Sequence, residues 1–137
     1  MNHNRLKQEL KDFALVAFKQ DEFYYSSKQR GIAPLVALCE KSVRKDDLYL
    51  ADKVIGKAAA LLCVHCGVKV LYAKVISEAA LAVLQQYDID TEYDKLVPYI
   101  RNREGDGKCP MEKLAHGISD PGEMLLRAQN FLIELNT

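Results

Sequence analysis

The sequence lacks a dominant charge, a long apolar run and any internal repeat. Lys and Arg together number 19 and Asp and Glu also number 19, so no global field draws the chain to nucleic acid or to an anionic membrane. The longest apolar stretch, around Val54 to Val64, is interrupted by Gly56 and Lys57 and is too short to span a bilayer. The opening "MNHNRLKQELKD" is polar and charged, without the hydrophobic core of a secretory signal. No segment is of low complexity. These absences make the cytoplasm the expected location and leave neither nucleic acid nor membrane as a partner. Four cysteines in such a chain are expected to be reduced, buried or reactive rather than bridged.

What remains is an ordinary globular composition. Apolar residues make up 49% of the 137 positions and charged residues 28%, which suits one compact domain over residues 1–137 and argues against disorder. The pattern reads as an opening helix over 4–11, then a hairpin of strands at about Phe13–Phe18 and Phe23–Ser27 around a polar turn. In "FYYSS", Tyr24 and Tyr25 should face opposite sides of their strand. A short helix follows Gly31, with Pro34 in its first turn. "VRKDD" reads as a charged loop, Leu48 to Ala51 as a third strand, and Val54 to Cys66 as a buried alanine-rich helix stopped by Gly67.

"VKVLYAKV" is apolar at most positions and so belongs centrally in a sheet. Ser77 suits the cap of the next helix, "DIDTEY" is a short fifth strand, and Asp120 with Pro121 opens a final amphipathic helix. Strands alternating with buried helices imply an α/β/α sandwich. Its mixed five-stranded sheet would start with an antiparallel hairpin and continue with parallel strands joined right-handedly.

That succession, centred on "ADKVIGKAAALLCVHCGVKVLYAKVISEAALAVLQQYDIDTEY", is similar to the cytidine deaminase-like fold. More narrowly, "GIAPL", "DKVIGKAAA", "YAKVISEAAL" and "LVPYIRNREGDGKCPMEKL" resemble an uncharacterised bacterial family, domain of unknown function eighteen-ninety-three. The resemblance spans nearly the whole chain and implies the fold without an activity. Deaminases of that fold carry a His/Cys-x-Glu motif and a Pro-Cys-x-x-Cys motif at the starts of two helices. Here "GIAPL" and "ADKVIGKA" stand in those places and supply neither the three metal ligands nor the proton-carrying glutamate. The expectation is no deaminase activity, no metal site and no cofactor.

The pair in "CVHCG" lies in the last turn of its helix, where the dipole disfavours thiolate. Cys63 and Cys66 are therefore expected to pack as small apolar residues, with His65 near the surface. Cys109 differs, standing just before Pro110 at a helix start, beside Lys108 and near Arg101 and Arg103. It is the one candidate nucleophile or redox-sensitive thiol, although no histidine at a recognisable spacing offers a general base.

"RNREGDGKC" is the best anion-binding candidate, with Gly105 and Gly107 allowing close backbone approach. Asp52, Lys53 and Lys57 surround a strand-to-helix turn at the edge where open α/β sheets bind ligands. Gly56 is explained by a close approach of ligand or backbone, and Lys53 and Lys57 are spaced to share a helix face. Asp52 as a helix cap is the plainer alternative. Ser77 and Glu78 begin the next helix at the same edge.

The leading reading is a small anionic or nucleotide-like ligand held by Asp52, Lys53, Gly56, Lys57, Ser77, Asn102, Arg103, Gly107, Cys109 and Glu112. A Cys109-dependent enzyme or redox-responsive protein is the second. The third is a homo-oligomer or partner-binding module that buries the apolar face of the 121–135 helix or the hairpin edge.

Overall fold

The computed structural model describes residues 1–41, 47–102 and 104–136. Most of the "VRKDD" loop and Arg103 lie outside the described residues. The chain runs through helix α1 (His3–Leu10), the hairpin β1 (Leu15–Lys19) and β2 (Glu22–Ser27), and helix α2 (Ala33–Lys41). Then come β3 (Leu48–Ile55), α3 (Lys57–Cys66), β4 (Val68–Ser77), α4 (Glu78–Gln86) and β5 (Asp90–Val97). Helices α5 (Pro110–Ala115) and α6 (Pro121–Leu135) close it.

The sheet order is β2-β1-β3-β4-β5. β1 pairs antiparallel with both β2 and β3, whereas β3–β4 and β4–β5 are parallel. The two parallel pairs are joined through α3 and α4. A right-handed crossover repeated in one direction along a sheet puts both helices on the same face. That face carries the larger core, in which Leu50, Leu71 and Ala73 of the central strands meet Leu35, Leu62 and Ala80 of the helices. The opposite face is covered by α1, whose Leu6 and Leu10 pack on Val16, Ala51, Val70 and Tyr72.

Alanine at 58, 59 and 60 lets α3 lie close to its neighbours, and those residues are buried together with Leu61, Leu62, Cys63 and Cys66. Helix α6 packs outside this layer through Met124 and Ala128, leaving Leu126, Ile133 and Leu135 exposed. β5 forms an edge of the sheet, and its Asp90, Glu92 and Asp94 side chains are tied to His3, Lys7 and Tyr72.

Several local signals act as the sequence suggests. Ser77 Oγ accepts from Ala80 N at 3.1 Å and Asp120 Oδ2 from Glu123 N at 2.8 Å, each satisfying an orphan donor of its helix. Gly67 takes the left-handed conformation after α3, at φ 85°. No helix among the described residues is long and apolar enough to cross a membrane.

Four expectations need correction. β3 continues through Ile55 because its backbone stays paired with β4, Ile55 against Ile76, so α3 starts at Lys57 rather than Val54. β5 likewise runs on to Val97, paired with Ser77. Tyr24 and Tyr25 do not divide between two faces: the register shifts between Ala17 and Phe18, leaving Tyr24 as the extra residue of a bulge. Both rings pack on the same core, and Lys41 Nζ sits 4.7 Å and 5.9 Å from their centroids.

The fourth correction concerns the cysteines. Cys66 is buried as expected, but it is bridged to Cys39, 27 residues away. Helices α2 and α3 lie side by side and bring the two Cα atoms to 4.9 Å, within the range a disulfide needs. Cys63, in the same helix, stays a free and buried thiol.

Candidate functional site

The carboxyl ends of β3 and β4, the first turn of α3 and the approach to α2 enclose a chamber of about 520 Å³. Ligands of open α/β sheets bind at this end of the strands, where successive crossovers leave a crevice. The walls are apolar at Ile32, Leu35, Ala58, Ala59 and Met111. Four cations, Lys28, Arg30, Lys53 and Lys74, also line it, against two carboxylates, Asp52 and Glu112.

Those carboxylates are not equivalent. Glu112 reaches back from α5, accepting from Lys57 N through Oε1 and from Ile100 N through Oε2, both at 3.1 Å. The N-cap of α3 is Gly56, which has no side chain to cap with, so Glu112 supplies the missing acceptor from 55 residues away. This also explains the glycine. A Cβ on Gly56 would stand 2.6 Å from Glu112 Oε1 and 3.2 Å from Ile100 Cγ1. Gly56→Ala is therefore expected to cost about 2 kcal/mol through displacement of a doubly bonded carboxylate. Urea denaturation checks this, and the cost should not add to that of Glu112→Ala in the double variant, because both remove the same clasp.

Asp52 sits in β3 with its carboxyl surrounded by protein atoms, although the residue keeps some contact with solvent. Val54 N donates to its Oδ1 at 3.2 Å. Burial pushes its pKa up to about 7, outweighing the opposing backbone hydrogen bonds from Val54 and Lys53. Asp52 thus caps its own strand end and not α3. Burial also raises the Cys63 thiol well above its ordinary value, with the Asp52 charge adding to the effect, which makes Cys63 chemically quiet.

Cys109 is free, half-buried and on the chamber wall. It is the N-cap residue of α5, with its carbonyl accepting from Glu112 N at 3.0 Å and its N–H donating to Ile100 O at 3.0 Å. The 101–108 loop is tied by its own bonds. Arg101 and Lys108 bridge, Asn102 N donates to Gly107 O at 2.8 Å, and the Asn102 amide pairs with Asp106.

Of the residues singled out in the sequence, Asp52, Lys53, Gly56, Cys109 and Glu112 come together on the chamber wall. Lys57 lies outside the lining, since Lys53 is in a strand and no helix face relates the two. Ser77 is consumed in capping α4, and Asn102 and Gly107 in closing their loop. The chamber adds Lys28, Arg30 and Lys74, which the sequence reading passed over. A signal existed for each: "SSKQRG" is a basic run between hairpin and helix, and Lys74 is one of two lysines in the mostly apolar central strand.

A second hollow of about 400 Å³ adjoins the first, with Val54, Val75 and Ile100 lining both. It continues over Val97, Pro98 and Tyr99 and has Lys95 and Arg101 in its wall. Among the described residues, no cluster of three or more His, Cys, Asp or Glu could hold a metal ion.

Fold and site together define an α/β protein with a cation-rimmed, apolar-walled chamber at the carboxyl edge of a mixed sheet. Residues 3–132 match the family model of a domain of unknown function, DUF1893, and the chain belongs to that family. It is similar in structure to a DUF1893 family protein, TM1506, from Thermotoga maritima. The TM-score is 0.84 at 31% identity, covering 93% of this chain and 86% of that one. No curated protein matches the chain.

Proposed function

We propose that the chamber binds a small anionic, nucleotide-like molecule. The observation that carries this reading is the composition of the lining, which combines apolar residues such as Ile32, Leu35 and Ala59 with the four cations Lys28, Arg30, Lys53 and Lys74. Of the two carboxylates, Glu112 is directed at two backbone donors, and burial raises the Asp52 pKa to about 7, so the lining keeps an excess of positive charge. A volume of about 520 Å³ lies within the roughly 300–1,000 Å³ of small-molecule sites. The first turn of α3, where the resembled deaminases keep their metal cysteines, has Gly56, Lys57 and the Glu112 carboxylate in this chain. A phosphorylated metabolite fits the cytoplasmic location expected from the sequence, and the Cys39–Cys66 bridge is the feature that fits it least.

The test is a thermal-shift panel of nucleotides and phosphorylated metabolites, repeated with Arg30→Ala and Lys53→Ala. A true ligand at about 100 times its Kd stabilises by about 2.7 kcal/mol, a rise of several degrees. Either substitution should shrink that rise, and a panel with no shift sinks the reading. Cys109 gives an independent readout. It should react with iodoacetamide while Cys63 does not, and bound ligand should slow it. The position of this free thiol on the chamber wall also favours, as a second reading, a Cys109-dependent reaction on the same ligand.

A further inference from the structure

From the way the two hollows adjoin, we infer that the ligand is elongated and two-headed, of the dinucleotide type, with one flat group in each hollow and a phosphate linker between them. The inference rests on the chamber being a nucleotide site and specifies what that nucleotide carries. The hollows are neighbours, not separate features: Val54, Val75 and Ile100 belong to the walls of both. A ligand leaving the chamber over these three residues passes directly into the second hollow.

The cations are placed to match. Cations line the chamber at Lys28, Arg30, Lys53 and Lys74 and the second hollow at Lys95 and Arg101, so a linker that joins the two meets positive charge on either side. Lys53 enters none of the ion pairs of the described residues, whereas the Asp94 carboxyl, held below its ordinary value first by the Tyr72 hydrogen bond, has Lys74 near enough to help.

The far hollow is built for an organic group more than for a bare phosphate. Six of its eight lining residues are apolar or aromatic, ending at Pro98 and the Tyr99 ring. A heterocycle gains from an aromatic face in a way that phosphate does not. Lys95 and Arg101 add positive charge in its wall, and Lys108 Nζ stands 5.7 Å from the Tyr99 centroid. A single nucleotide would leave this surface unused.

Equilibrium binding of three probe classes to the full chain decides the matter: 5′-mononucleotides, the matching nucleoside triphosphates, and symmetric dinucleoside diphosphates of the same bases. The dinucleoside diphosphate should bind about tenfold or more tightly than its mononucleotide. Tyr99→Ala, a change at the surface, should abolish that gain while leaving mononucleotide affinity unchanged. Equal affinity of mono- and dinucleotides, or a gain that survives Tyr99→Ala, overturns the two-headed ligand but leaves the nucleotide chamber standing. A triphosphate that matches the dinucleotide and loses its advantage in Lys95→Ala likewise overturns it, in favour of a polyphosphate tail. If no mononucleotide or dinucleotide binds, the chamber reading itself falls and this one with it.

Discussion

Reducing the Cys39–Cys66 bridge will lower the unfolding free energy by about 3–4 kcal/mol, and the melting temperature by on the order of 10 °C. The figure follows from the 27-residue separation of the two cysteines, since closing a loop of that length removes a large share of the unfolded chain's freedom. The native state itself should change little. Once reduced, the Cys39 thiol has Leu62 O within 3.4 Å as an acceptor, and both side chains remain in a core already packed around them. The cost is thus carried by the unfolded state, and Cys39→Ala should reproduce most of it. Intact-mass analysis provides the control. Under denaturing conditions the oxidised protein should take up two alkyl groups, at Cys63 and Cys109, and the reduced protein four. Four groups without reductant, or identical melting with and without it, would refute the expectation.

The same bridge shows where sequence reading stops. "CVHCG" draws attention because its cysteines are three apart, yet the partner of Cys66 is in another helix. Nothing local marks Cys39: its proximity comes from α2 and α3 lying side by side, a tertiary fact. Glu112 is similar. Its type and its place in a first helical turn are legible, but its service to the N-terminus of α3 depends on a contact 55 residues distant. Gly56 was expected to mark a close approach of ligand or backbone, but the groups that approach it are side chains, first the Glu112 carboxylate and then Ile100.

What was legible rests on local rules. Gly67, Ser77 and Asp120 end or begin helices by backbone geometry and capping, which need only a few neighbouring residues. The apolar run of β4 announces a central strand because both its faces are covered. Strand ends were less legible: β3 and β5 run on for several residues because a paired neighbour holds their backbones, whatever their own side chains prefer. That extension moved Lys53 from the strand-to-helix turn into the strand.

Asp52→Asn is expected to raise stability at pH 8 by a few kcal/mol and to remove a pH dependence that the native chain carries. In the folded protein the Asp52 carboxyl has its pKa pushed up to about 7 by burial, against an ordinary value of 3.8. The folded state therefore holds a proton that the unfolded state has already released. Stability contributed by the neutral form is complete below about pH 4 and is lost as pH rises through about 7. Between pH 5 and pH 8 the loss is about 2–3 kcal/mol.

Asparagine stays neutral and can still accept from Val54 N, so the variant should lack this decline. Urea denaturation of both proteins at pH 5, 6, 7 and 8 measures it. All other ionisable groups are common to both proteins, so the difference between the two curves isolates Asp52. Parallel curves would mean that the carboxyl ionises freely in the fold. A stability gain would also say something about function. Burying an ionisable group costs the fold free energy that asparagine would spare it. If the chamber holds the proposed ligand, the Asp52 carboxyl would donate a hydrogen bond to it when neutral and accept one when ionised. Ligand affinity that changes across pH 7 in the native chain and not in Asp52→Asn would tie the two observations to a single group.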